Sequence, residues 1–160
     1  MFVVIHGSFV IRFLILVCAI GAALFIATAP GACKPYFHQG IEYCRTDSAL
    51  NISLWTGRLW GQLPMMLIPF VLAWIPFITL CFEMPFAQLI VDFVSAIVLC
   101  ILGAAEVWYA NGFGISGYKV VSGWAAASGF LFFSALLYLF DIGFILADIV
   151  YNRPLESTRL

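Results

Sequence analysis

The stretch Val120–Val150 limits what this chain can become more than any other. It begins with small residues (Gly123, Ala125, Ala126, Ala127, Gly129) and continues from Phe130 as an apolar run broken mainly by Ser134, Asp141 and Asp148. Isolated glycines are its only helix-weakening residues, and apolar side chains would surround every face of the helix. Such a segment belongs in a bilayer rather than on a soluble core. From Trp124 to Val150 it would run ~40 Å as a helix, longer than the ~30 Å hydrocarbon layer. With Trp124 read as an anchor at one interface, Asp141 falls inside the hydrocarbon and Asp148 near the headgroups. Gly123 and Ala127, and likewise Ala125 and Gly129, are pairs four apart that let a second helix approach closely.

Composition agrees with this reading. Hydrophobic residues make up 64% of the 160-residue chain and charged residues 9%, with a mean hydropathy of +1.09. A soluble domain of this size has no interior large enough for so much apolar surface, so the expected solvent is lipid. The net charge of -1, with no basic run, argues against nucleic acid as a partner and against a polybasic lipid-binding tail.

Four membrane spans are expected, at about 9–29, 63–82, 86–105 and 122–150. The first competes with a cleaved signal peptide: Arg12 would be its basic region and Ala27-Thr28-Ala29 its small-residue site, although Pro30 disfavours cleavage there. Pro69 and Pro76 should kink the second span unless neighbours repair the carbonyls they free. The turn Glu83-Met84-Pro85 is too short for anything but an antiparallel return. The expected fold is therefore all-α, an integral membrane antiparallel four-helix bundle in one domain, with outer loops at 30–62 and 106–119.

The first loop is the main polar segment. It carries Cys33 and Cys44, readily bridged in an oxidising compartment, and the sequon Asn51-Ile52-Ser53. A disulfide and a glycan both require an extracytoplasmic loop, which leaves both termini cytosolic. The positive charges are too evenly divided to choose an orientation. Trp55 and Trp60 lie among apolar residues at helical spacing, either in an interfacial helix or as an exposed aromatic ridge for a partner. Cys81, at the inner end of the second span, is a candidate for reversible palmitoylation.

In the last span, the run Ala126-Ala127-Ser128-Gly129-Phe130, followed by Leu136-Leu137-Tyr138-Leu139-Phe140-Asp141, resembles the final transmembrane helix of MARVEL-domain proteins. Insect smooth-junction tetraspan proteins have a similar look. The resemblance covers about twenty residues; elsewhere it extends only to helix number and length. It implies a role in membrane apposition, at cell junctions, or in organising membrane for vesicle traffic. Claudins differ, because here Leu59-Trp60-Gly61-Gln62 follows the cysteines instead of preceding them.

Chemistry is scarce outside a set of intramembrane charges: Arg12, Asp92, Asp141 and Asp148. All four fall in the inner half of the expected bundle. A mid-membrane aspartate costs ~2.5–3.5 kcal/mol even on the insertion scale, so each needs a partner or a proton. Two uses compete: an ion pair that fixes helix order, or a proton or cation path. Arg12 is the expected partner of Asp141, with a hydroxyl such as Ser95 as the alternative. No nucleophile–base pair, metal cluster or cofactor motif can be assembled, so the expected protein is not an enzyme. It is instead a tetraspan of plasma or vesicle membrane that works through lateral helix packing and its first outer loop. Its expected partners are the bilayer and either a second copy or another membrane protein. The competing function is an accessory subunit of a channel or transporter.

Overall fold

The computed structural model describes residues 2–28, 34–39, 41–45, 61–80, 85–111 and 121–152, with side chains described over 7–28, 61–78, 85–111 and 121–150. Four helices form a bundle: α1 (Phe2–Thr28), α2 (Gln62–Leu80), α3 (Pro85–Ala110) and α4 (Ser122–Asn152). Between α1 and α2 lies a hairpin of β1 (Lys34–His38) and β2 (Ile41–Arg45), paired antiparallel with Tyr36 opposite Tyr43 and His38 opposite Ile41. This hairpin departs from the all-helical expectation. Gln39, at its tip, sits at φ 53°.

The helix bounds follow local chemistry. α1 stops at Thr28, whose Oγ1 donates back to the Leu24 carbonyl at 2.7 Å, and Pro30 follows two residues later. α3 opens on Pro85, a good first helical residue because its missing N–H has no partner in the first turn. It then continues to Ala110, so Glu106 is helical rather than the start of a loop. The Val121 N–H donates to the Ala110 carbonyl at 2.8 Å, tying the end of α3 to the start of α4. α1 likewise begins well before residue 9.

Gly7–Thr28, Pro85–Ala110 and Ser122–Val150 are each long and apolar enough to cross a membrane. α2 is shorter, 19 residues and hence about 28 Å long. Large apolar side chains point outward on all four helices, among them Phe13, Leu24, Val71, Ile90, Ile101 and Phe140. Cys100 is also outward-facing, whereas Cys18 is buried.

α4 makes its widest contacts with α3 and α1. Its phenylalanines fill glycine hollows. A Cβ on Gly7 would lie 3.2 Å from Phe144, one on Gly21 3.3 Å from Phe130, and one on Gly103 3.1 Å from Phe132. Mid-bundle, Ile15 and Ala19 meet Ala73, Leu99, Leu131 and Ala135. A second apolar cluster joins Ile26, Met65, Tyr109, Val121, Trp124 and Ala127.

Trp124 differs from the expected lipid-interface anchor. It is 1% exposed, and its Nε1–H donates to the Ile26 carbonyl at 3.3 Å. That carbonyl belongs to the last turn of α1 and has no partner within its own helix, so the indole caps a helix end. The two small pairs on α4 also part company. Gly123 and Ala127 are buried, while Ala125 and Gly129 face outward with open space around Gly129. Ala127→Leu should therefore overpack the cluster around Trp124 and lower stability by about 1–3 kcal/mol, read as thermal unfolding in detergent. An unchanged midpoint would mean that this face of α4 has room the packing does not show.

Candidate functional site

The buried charges gather at one level of the bundle. Ser8 and Arg12 lie one turn apart on α1, and Tyr138 and Asp141 one turn apart on α4, so each pair shares a face. The Arg12 Nε donates to Asp141 Oδ2 at 3.0 Å, with the side chains 2% and 0% exposed. The Ser8 hydroxyl donates to the other Asp141 oxygen. Arg12 Nη1 donates to the Pro76 carbonyl at 3.1 Å, which brings α2 into the same network. Asp141 thus has a hydrogen bond on each oxygen, as a buried carboxyl group requires.

Tyr138 repairs a defect that Pro76 creates. Proline has no N–H, so the carbonyl four residues earlier, at Leu72, loses its helical donor. The Tyr138 hydroxyl supplies that bond at 2.8 Å. Pro76 is accommodated because α1 and α4 send polar groups to its own carbonyl and to that of Leu72.

Asp92 completes the cluster from α3. It is 0% exposed and within electrostatic reach of Asp141 and Arg12, yet neither of its oxygens has a hydrogen-bond partner. Ser95, one turn on, lies near the Tyr138 hydroxyl, and its Oγ also lacks a partner. The cluster therefore combines one guanidinium with two carboxyl groups. Ser95 does not serve Asp141; Ser8 and Arg12 do. Asp148 is half-buried and stands two turns beyond Asp141 on α4.

The structure therefore brings Arg12, Asp92 and Asp141 together, with Asp148 farther along α4. Cys33, Asn51, Trp55, Trp60 and Cys81 lie outside the described residues, and for Cys44 only the backbone position in β2, opposite Pro35, is described. Three contributors were not expected from sequence: Ser8, the Tyr138 hydroxyl and the Pro76 carbonyl. Ser8 had a signal, its one-turn spacing from Arg12, and Tyr138 had another, three residues before Asp141. Gln62 and Glu106, buried together at the opposite end of the bundle, had none, because both sit where an apolar run meets a loop.

Comparisons with protein-family models, with curated proteins and with solved structures return no match.

Proposed function

We propose that this chain is a non-enzymatic membrane protein, an antiparallel four-helix bundle that organises membrane contacts, junctions or vesicle membrane through its lateral surfaces and first outer loop. One observation carries the membrane part of this reading. Every helix turns large apolar side chains outward, while Arg12, Asp92 and Asp141 are turned inward and buried. That is the reverse of a water-soluble surface and the arrangement a lipid solvent favours. The contacts Gly7–Phe144 and Gly21–Phe130 support opposite directions for α1 and α4. Gly103–Phe132 and Tyr109–Trp124 do the same for α3 and α4. The bonds that Ser8, Arg12 and Tyr138 make across helices support a bracing role for the charges, because such bonds fix helix order and rotation. The organising role rests on the resemblance of α4 to the last helix of MARVEL-domain proteins.

Localising the tagged protein in cells tests the organising role. Enrichment at cell contacts or on vesicles is the expected result, and an even distribution with a stoichiometric channel or transporter partner would replace it. That alternative, an accessory subunit, draws support from Ala125 and Gly129, the small pair that faces out of the bundle. Gly129→Leu should then abolish co-purification of the partner in mild detergent and leave thermal stability unchanged.

The topology has its own expected result. Cys33 and Cys44 should resist a membrane-impermeant thiol reagent until reduced, and Asn51 should carry a glycosidase-sensitive glycan. Labelling of Cys33 only after the plasma membrane is permeabilised, with no glycan, would place the loop in the cytosol.

A further inference from the structure

Glu106 is a buried acid that the Arg12 network does not use. It stands fourteen residues beyond Asp92 on α3, about 21 Å along the helix, so the two acids belong to separate sites. It is 0% exposed, and Gln62, the first residue of α2, is 1% exposed beside it. Both carboxylate oxygens of Glu106 and both polar side-chain atoms of Gln62 lack a hydrogen-bond partner. Four buried polar atoms left in that state are costly, and more so if one group is charged. Something small that satisfies them would be held firmly.

We infer that Glu106 and Gln62 form a binding site for one monovalent cation, a proton or a sodium ion, at the end of the bundle where α2 begins. A carboxylate offers only acceptors, and an amide offers one acceptor and two donors. With a proton on Glu106, the acid and the amide complement each other: O–H to Oε1 in one direction, N–H to the second carboxyl oxygen in the other. A sodium ion would use the same oxygens, since hard cations take carboxylate and amide carbonyl ligands. A divalent ion does not fit the charge. Glu106 is the one acidic residue of this cluster among the described residues, so a double charge would leave a buried positive excess.

The surroundings supply no competing cation among the described residues. The apolar cluster at this end of the bundle takes Ile26 from α1, Met65 from α2, Val121 from just before α4 and Ala127 from α4. Trp124 has already given its N–H to the Ile26 carbonyl. On α3 itself the titratable group nearest in the chain is Tyr109, with Cys100 and Asp92 farther back along the helix. The Tyr109 hydroxyl sits where a side chain on residue 61 would go, so glycine at that position lets it lie against the start of α2, next to Gln62.

The test uses the purified full chain in detergent, with thermal unfolding followed in sodium chloride and in choline chloride over mildly acidic to mildly alkaline buffers. Wild type should shift by several degrees with one of the two cations, and Glu106→Gln should lose that shift while retaining the bundle. A response to sodium at fixed pH identifies sodium, and a response to pH that ignores sodium identifies the proton. Identical responses of wild type and Glu106→Gln overturn the site. If the variant fails to fold, wild type still decides. Dicyclohexylcarbodiimide, an apolar reagent for protonated carboxyl groups, should label Glu106 in peptide maps, and labelling should fall with added sodium or rising pH. No labelling at Glu106, or labelling that neither cation alters, would overturn the inference.

Discussion

Arg12→Leu is expected to destabilise the bundle by about 3–5 kcal/mol, because it strands a buried carboxylate that now has one hydrogen bond instead of two. Asp141→Asn should also be costly: its amide oxygen can still accept from one of Arg12 and Ser8, but the buried guanidinium loses the negative charge it was bonded to. The informative quantity is the double mutant. Arg12 and Asp141 touch at 3.0 Å with both side chains buried, so the paired change should cost less than the two single losses added, by about 0.5–3 kcal/mol. Thermal unfolding and folded yield in detergent give all four corners of the cycle. Additive losses would mean that the pair does not interact in the folded protein. The same cycle run with Asp92 reports whether that acid shares Arg12. Its oxygens make no hydrogen bond, so its coupling should be weaker than that of Asp141.

Tyr138→Phe is expected to cost about 1–3 kcal/mol, the penalty for a buried carbonyl without a donor. The carbonyl is that of Leu72, and it needs Tyr138 only because residue 76 is proline. The effect should therefore depend on position 76. With Pro76→Ala in place, a backbone N–H at 76 can reach Leu72, and the cost of Tyr138→Phe should fall toward zero. Unfolding midpoints of the two single variants and the double variant provide the measurement. An equal cost in both backgrounds would show that Tyr138 contributes through ring packing rather than through its hydroxyl.

These two networks gather buried polar groups from all of α1, α2 and α4 at one level of the bundle. The consequence is specificity of arrangement. Leucine and phenylalanine contacts tolerate sliding and rotation, whereas a guanidinium joined to α4 and to the α2 backbone does not. An aspartate on α4 and a proline on α2 thus act on the same quantity, the rotational setting of each helix about its axis.

How much of this was legible in the chain depends on whether a property is local. Apolar runs marked all four helices, since the length and hydropathy of a segment decide whether it can become a long apolar helix. Pro69 and Pro76 announced freed carbonyls in α2, because proline lacks an N–H wherever it stands. Arg12 and Asp141 were marked as needing partners by the cost of burying a charge. The sequence names Arg12 as the partner of Asp141, and the two meet; it could not supply the other contacts. Ala125 and Gly129 have the same spacing as Gly123 and Ala127, yet one pair faces out and the other is buried, and only the rotation of α4 distinguishes them. Trp124 suited a lipid interface, but the end of α1 offered its indole a carbonyl, and the ring went inside. Polarity alone makes the hairpin of β1 and β2 a plain loop and puts Glu106 outside the helix that carries it into the core. Hydropathy and spacing belong to one segment at a time. Partner choice belongs to the rotation and depth of four helices packed together, and that is where the tertiary structure decided.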